Sequence, residues 1–331
     1  MVARRRGLGP ARVASPPERP SMMRASSWSA LVALVLCAPG AEAQRYQRTL
    51  VPGYSYCVLW PGRDYVYRLD AAGSRRTPGD TEFAALEAAF ASWRAVSATC
   101  SDFTFTRGPD IQNPKVGYVR GTQDPNANEN VITFREVDCN DVVPPEDPCI
   151  ASDTCANTYA CWDHGAAVIG LTTTTFSYRT AYILDADVEF NASDDGRGFL
   201  FTTVDSPMCE GERTSGCVVT DVQNTATHEF GHVVGLDHVF EIGSTMEPTA
   251  PPGETHKRII DAGSAAGFCQ AYPRGLPPTQ CVGPEPGRHF QAVSQGPGIG
   301  CGVAPGALFP TAALLGLLTL GRRRKRPAGR A

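Results

Sequence analysis

The sequence predicts an α+β fold, because strand-like and helix-like patterns alternate along the central part of the chain. Short runs of β-branched and aromatic residues recur between residues 65 and 190, as expected for the strands of one sheet. A segment with an apolar period near 3.6 follows the first run, and two more helical segments end the pattern at residue 272. We therefore expect one sizeable domain of about five strands and three helices.

Five segments are predicted to be strands. The first alternates polar and apolar residues, and the last two are long and rich in β-forming residues. The segments are Tyr65–Leu69, Phe103–Phe105, Asn130–Phe134, Val168–Phe176 and Ile183–Phe190.

Three segments are predicted to be helices. The apolar residues of Phe83–Val96 recur every three or four positions, which indicates one buried face. Thr220 and Gln223 have the spacing of a capping box, so a second helix is expected to begin there. Asp261–Tyr272 is the last predicted helix, and Pro273 stops it.

The second helix carries three closely spaced histidines. His228 and His232 are four residues apart, so on a helix both imidazoles lie on one face and can bind one metal ion. Glu229 lies beside them, where its carboxylate can accept a proton without binding the metal. Gly235 can end the helix in a left-handed turn and return His238 as a third ligand. Three protein ligands with a fourth position open indicate a catalytic zinc site.

With Met246, these residues form the pattern H-E-x-x-H-x-x-G-x-x-H followed by a methionine turn, Ser244–Pro248. The pattern resembles the metzincin signature. The short gap between His238 and Met246 is similar to the matrixin branch, and the pappalysins are the nearest alternative.

The resemblance implies a zincin/metzincin catalytic domain over residues 44–275. Such a domain has a twisted mixed sheet of about five strands, an active-site helix, the methionine turn and a C-terminal helix. It also implies Zn²⁺ held by the three histidines, Glu229 as the general base, and Met246 as an apolar floor beneath the metal. Val168–Phe176 would be the sheet edge, along which a peptide substrate lies as an added strand.

The chain departs from the matrixin pattern in two places. Glu247 follows Met246, where matrixins usually carry a tyrosine close to the methionine, so substrate preference is not carried over. The cysteine motif of the matrixin propeptide is absent, which leaves the mechanism of latency open.

Four aspartates near the end of the last predicted strand are candidate ligands of Ca²⁺, because hard cations prefer carboxylate oxygens. The alternative is that they are solvated acids at a strand end and turn. They are Asp185, Asp187, Asp194 and Asp195.

The chain has 12 cysteines. Cys37 falls in a predicted leader and Cys301 in a predicted C-terminal tag, and the ten that remain predict five disulfides in an exported protein. The predicted pairs are Cys209–Cys217, Cys269–Cys281 and Cys57–Cys100. Residues 138–164 are predicted to be a Cys-rich insertion tied by disulfides. The alternative there is a second zinc site, on Cys139, Cys149, Cys155 and Cys161.

Targeting patterns flank the predicted domain. Residues 1–43 contain an apolar run, Trp28–Leu36, and a small-x-small motif, Ala41–Ala43, which predict a signal peptide with an N-terminal extension. Residues 276–299 are rich in proline and glycine and are predicted to be a flexible linker.

Residues 300–331 combine a Cys-Gly motif around Cys301, an apolar run, Ala304–Leu320, and a basic cluster, Arg322–Arg326. This order resembles the MYXO-CTERM sorting tags. The resemblance implies transient anchoring in the membrane, cleavage by a sorting protease near the cysteine, and delivery to the cell surface. A plain C-terminal membrane anchor is the alternative.

Between these ends the chain is acidic, since residues 44–301 hold 18 Lys or Arg against 32 Asp or Glu. Such a surface repels nucleic acid, so no nucleic-acid partner is expected. The sequence thus predicts an exported, surface-sorted zinc endopeptidase that acts on protein or peptide substrates. The alternatives are a catalytically inactive scaffold that binds at the surface and a zinc hydrolase that acts on a non-peptide bond.

Overall fold

The computed structural model describes most of the chain between residues 45 and 302. The predicted signal peptide, residues 1–43, and the predicted tag from residue 303 onward lie outside the described residues. In the part that is described, no helix is both long and apolar enough to span a membrane. The described ranges are 45–124, 127–193 and 198–281, together with the backbone of two strands at 293–295 and 299–302.

The described elements follow the predicted alternation of strands and helices. The strands are β1 (Gln47–Arg48), β2 (Asp64–Leu69), β3 (Thr104–Arg107), β4 (Asn130–Arg135), β5 (Val168–Ser177), β6 (Ile183–Asn191), β7 (Phe201–Thr202), β8 (Thr220–Asp221), β9 (Leu236–Asp237), β10 (Val293–Gln295) and β11 (Ile299–Gly302). The helices are α1 (Thr81–Cys100), α2 (Cys139–Val142), α3 (Pro148–Ser152), α4 (Cys155–Tyr159), α5 (Val222–Val233) and α6 (Ala262–Ala271). Short 3-10 turns, Pro78–Asp80 and His256–Arg258, precede α1 and α6.

The main sheet has the strand order β10-β5-β6-β4-β2-β3, and β11 also pairs with β5. Strands β2, β3, β4 and β6 are parallel to one another, whereas β5 is antiparallel to β6. The sheet is therefore mixed, and its strands β2 to β6 correspond to the five predicted strands. This mixed sheet with several helices agrees with the predicted α+β class.

Strand β5 was expected to be the sheet edge. Among β2 to β6 it lies at one end of the order and β3 at the other, but the outer side of β5 does not end the sheet. Strands β10 and β11, from the C-terminal part of the chain, pair with it there.

Aromatic side chains from α1 and β2 hold α5 in place. Phe90 stacks on Phe230 of α5 with 3.7 Å between ring centroids, and Tyr67 stacks on the other side of Phe90 at 3.8 Å. The indole Nε1 of Trp93 donates to the carbonyl oxygen of Thr227 at 2.9 Å. Burial of each such aromatic side chain stabilises the fold by about 1.5–3 kcal/mol. These contacts therefore fix the position of the half of α5 that carries the histidines.

All ten cysteines of the described domain form disulfides, as predicted, and the predicted pair Cys209–Cys217 is among them. The pairs Cys269–Cys281 and Cys57–Cys100 were wrong. The bonds are instead Cys57–Cys281 and Cys100–Cys269. Helix α6 packs against α1, which brings Cys269 to the last residue of α1. Closeness along the sequence therefore identified the partner of Cys209 but not the partner of Cys269.

The Cys-rich insertion forms three short helices, α2 to α4, and two local disulfides, Cys139–Cys161 and Cys149–Cys155. The alternative of a second zinc site on these four cysteines is wrong, because every sulfur is already bonded to another sulfur. A small, loop-rich segment of this kind gains its stability from such bonds.

Candidate metal centre

Helix α5, which carries two of the three histidines, begins at a well-defined cap. The carboxylate of Asp221 accepts a hydrogen bond from the backbone N–H of Asn224 at 2.7 Å, as N-cap residues do. Arg258 holds the same carboxylate through its Nε at 2.9 Å. The predicted capping box gave this role to Thr220. Thr220 instead lies in β8, paired with β7, so the helix starts one residue later.

The three histidines present one nitrogen each to a common point. The Nε2 atom of His232 lies 3.1 Å from the Nε2 atoms of both His228 and His238, and the remaining pair is 3.3 Å apart. A tetrahedral zinc with Zn–N distances of about 2.0–2.1 Å requires ligand nitrogens roughly 3.3 Å apart. The donor set therefore fits zinc. In the part of the chain that is described, this is the only group of three or more His, Cys, Asp or Glu side chains close enough to share an ion.

Backbone carbonyls fix the orientation of two of these rings. His228 Nδ1 lies 2.7 Å from the carbonyl oxygen of Thr245, and His232 Nδ1 lies 2.8 Å from that of Leu236. A carbonyl only accepts, so each Nδ1 must donate, which leaves Nε2 with its lone pair free for a metal. Burial lowers the pKa of His232 to about 3 and that of His228 well below its usual value, so both rings are neutral.

A tight turn after α5 returns the chain and brings in His238. Gly235 has a φ of +84°, and a Cβ there would lie 2.7 Å from the carbonyl oxygen of Val58. Both the left-handed backbone and the close approach require glycine. The chain then runs through β9, which pairs with β1. The backbone N–H of Val239 donates to the carbonyl oxygen of Met246 at 2.9 Å, which joins the third histidine to the methionine turn.

Glu229 follows His228 on α5, and its fully buried carboxylate lies against β5. The Thr172 hydroxyl of β5 donates to its Oε2 at 2.7 Å, whereas its Oε1 has no hydrogen-bond partner within the described structure. Gly170 faces Oε1, and a Cβ there would come within 2.9 Å of it. Burial raises the pKa of Glu229 to about 8, and the Thr172 hydrogen bond lowers it. A buried carboxylate oxygen without a described partner, on the residue that follows the candidate ligand His228, is a candidate proton acceptor.

Met246 lies beneath α5, fully buried. It packs so closely that a Cβ on Gly231 would overlap its Sδ atom. Asp261 stabilises the methionine turn through two hydrogen bonds to Thr245. Its Oδ2 accepts from the backbone N–H of Thr245 at 2.7 Å, and its own backbone N–H donates to the Thr245 hydroxyl at 3.0 Å. The structure thus brings the three histidines together, places Glu229 next to the first of them on α5, and packs Met246 against the same helix.

Sequence reasoning missed two residues that contact this group. Thr172 is one of four consecutive threonines, and nothing in the sequence distinguishes the one that faces Glu229. Asp261 was identified only as the start of the last helix. It does cap α6, with its Oδ1 accepting from Gly263 and Ser264, but the same side chain also supports the methionine turn.

The candidate calcium ligands are only partly described. Asp185 and Asp187 are buried in β6, so the alternative of solvated acids is wrong for them. The Asp187 carboxyl accepts from the backbone N–H groups of Gly117 and Val131, whereas the Asp185 carboxyl contacts Asp187 and has no other hydrogen-bond partner among the described residues. Burial raises the pKa of Asp185 to about 6 and that of Asp187 well above its usual value. Asp194 and Asp195 lie outside the described residues.

The fold and the site together define a class of protein: an α+β domain with a three-histidine metal centre and an adjacent buried carboxylate, as in zinc-dependent hydrolases. Residues 157–272 match the family model of the matrixins. The matched segment contains β5, β6, α5, the methionine turn and α6, but not α1 or β2 to β4. It supports a matrixin-like metzincin of the zinc metalloprotease type. No curated protein matches the chain.

Proposed function

We propose that the chain is an exported zinc endopeptidase that hydrolyses protein or peptide substrates. The observation that carries the proposal is the convergence of three Nε2 atoms, 3.1–3.3 Å apart. The helix that supplies two of them also carries Glu229, whose buried Oε1 has no partner among the described residues. The matrixin match over the same residues favours peptide bonds over other hydrolysable bonds.

Each side chain of the centre has a separate task. A zinc ion held there would supply Lewis-acid polarisation of the scissile carbonyl and would make water more acidic at neutral pH. His228, His232 and His238 hold the ion as neutral imidazoles. Glu229 accepts a proton at Oε1 and delivers it to the leaving amine. The Thr172 hydroxyl donates a hydrogen bond to the other carboxylate oxygen of Glu229. This bond fixes the orientation of Oε1 while the proton is accepted and while it is delivered.

The test is the substitution Glu229→Ala in the purified chain, with Glu212→Ala as a control that removes an exposed carboxylate. Glu229 is a proton carrier and not a ligand, so the variant should retain about one zinc per chain and lose turnover of a mixed peptide substrate. Loss of zinc would contradict this role for Glu229. If the parent chain binds zinc but cleaves no peptide, the inactive surface-binding scaffold is the better explanation.

Export and sorting are the second part of the proposal, and the motifs at the two ends of the sequence support it. The signal peptide would be cut after Ala43, and a sorting protease would cut near Cys301, which removes the Arg322–Arg326 cluster. The intact mass of the protein from the host's surface tests this. A mass that includes residues 304–331 would leave a plain membrane anchor as the explanation.

A further inference from the structure

The outer side of β5 is occupied by a segment of the same chain. We propose that this C-terminal segment, Val293–Gly302, is an intramolecular competitor of the substrate and keeps the metal centre inaccessible while it is docked. The competition for the outer side of β5 follows from the strand pairing alone. Its consequence for peptide hydrolysis rests on the function proposed above.

The backbone pairing shows how the segment lies. Val293–Gln295 pair with Ser177 to Thr175, and Ile299–Gly302 pair with Thr172 to Val168, both antiparallel, with a bulge between Cys301 and Gly302. The two strands β10 and β11 thus pair with seven of the ten residues of β5. The other side of β5 is paired with β6. On the outer side, β10 pairs with Thr175–Ser177 and β11 with Gly170–Thr172 and Val168, so these positions are not available to an added peptide strand.

The pairing is centred on the part of β5 that touches the general base. Gly300 lies opposite Leu171, and Cys301 lies opposite Gly170. Gly170 and Thr172 are the two residues of β5 that contact the carboxylate of Glu229. β11 also lies close to α5, the helix that carries that carboxylate. A peptide that reaches Glu229 by strand addition to β5 must occupy the positions that Ile299–Gly302 hold.

The composition of the segment suits a strand that can be displaced. Two of the four residues of β11 are glycines, which weaken a strand because they bring no side chain to pack and lose more backbone entropy. Gly296-Pro-Gly298 separates β10 from β11 in the sequence, and proline lacks the N–H that a ladder needs. Cleavage close to Cys301 would also remove the end of β11, which would couple sorting to activation.

Paired proline substitutions test the docking in the full chain. Successive N–H groups of a strand point to opposite sides, so either residues 299 and 301 or residues 300 and 302 donate to β5. The two double variants are Ile299→Pro with Cys301→Pro, and Gly300→Pro with Gly302→Pro. Proline is tolerated where the N–H faces away from the sheet, so one variant releases the segment and the other is its matched control.

Hydrogen exchange of the β5 amides is the first measurement. In the releasing variant, the outward amides of Val168–Ser177 should exchange at least tenfold faster than in the parent chain and in the control. Equal exchange in all three chains would overturn the proposal, because the segment would then not be docked.

Peptide binding is the second measurement, made in the Glu229→Ala background so that no cleavage is needed. A fluorescent mixture of decapeptides should bind at least tenfold more tightly to the releasing variant. Unchanged affinity despite faster exchange would overturn the proposal, as would an intact mass showing that the Glu229 form cuts its own chain within residues 299–302. If release strengthens binding but the Glu229 form still cleaves no decapeptide, the competition stands and the proposed peptidase function fails.

Discussion

The hydroxyl of Thr172 offers the sharpest test of how the candidate centre works. Thr172→Val keeps the size and β-propensity of the side chain and removes only the group that donates to Glu229 Oε2. We expect the zinc content and the melting temperature to change little, because no metal ligand is touched. Glu229, the proposed general base, however, loses the hydrogen bond that orients its carboxylate.

The size of the effect follows from the hydrogen bond. It is 2.7 Å long, joins a hydroxyl to a carboxylate, and lies in a fully buried site. Hydrogen bonds to charged groups contribute about 1.5–3 kcal/mol, and each 1.36 kcal/mol corresponds to a tenfold change in rate. We therefore expect kcat to fall by about 10- to 150-fold while KM stays nearly constant. Because the bond stabilises the ionised carboxylate, its loss should also move the acidic limb of the kcat/KM profile to higher pH.

Steady-state cleavage of one peptide between pH 5 and 9 is the assay. Thr172→Ser restores the hydroxyl and should recover most of the rate, whereas Thr174→Val, two residues along the same face of β5, should leave it unchanged. A parent-like kcat in Thr172→Val would refute the reasoning. So would an equal fall in Thr174→Val, because the loss would then come from the strand and not from the hydrogen bond.

Three further predictions concern stability and metal binding. Asp185→Asn should raise the free energy of unfolding at pH 8 and change it much less at pH 4. Burial raises the pKa of both Asp185 and Asp187, so the stability that the protonated pair contributes is lost as the pH rises, and the neutral amide removes one of the two buried charges. Urea unfolding at both pH values measures this, and added Ca²⁺ should stabilise only the parent if the pair binds it. Replacing both cysteines of Cys100–Cys269 by Ser should lower the free energy of unfolding by up to about 5 kcal/mol, against about 2.5 kcal/mol for Cys209–Cys217. The difference is expected because the first bond closes a far longer loop. Equal losses of stability in thermal unfolding would argue against this. Gly231→Ala should weaken zinc binding and lower the free energy of unfolding by about 1–3 kcal/mol, because the added Cβ would displace Met246. Gly216→Ala, in an open loop, is the control, and an unchanged zinc titration in Gly231→Ala would contradict the tight packing.

Features that depend on neighbouring residues could be predicted from the sequence. The period of Phe83–Val96 and the alternation of Tyr65–Leu69 each report one buried face, and the structure has a helix and a strand there. The convergence of the imidazoles is also local, because it needs only the i, i+4 spacing on α5 and the left-handed turn at Gly235.

Features that depend on the packing of distant elements could not be predicted. Cys100 and Cys269 meet only because α6 packs on α1, and the sequence separates them by 169 positions. Thr172 faces Glu229 because of the register of β5 against β6 and its contact with α5, and a one-residue slip would have presented Thr173 instead. The pairing of the C-terminal segment with β5 likewise depends on a long-range contact that composition does not report.

The bond Cys57–Cys281 attaches the chain to the body of the domain 12 residues before β10 begins. Twelve residues reach at most about 40 Å, so the C-terminal strand is confined to a small volume around its own binding edge. One molecule in a sphere of that radius corresponds to a local concentration of at least several millimolar. A strand that binds only weakly as a free peptide would therefore remain docked at any dilution of the protein. One cut between residues 281 and 293 would end this tethering and leave the strand to compete at the far lower concentration of the protein itself.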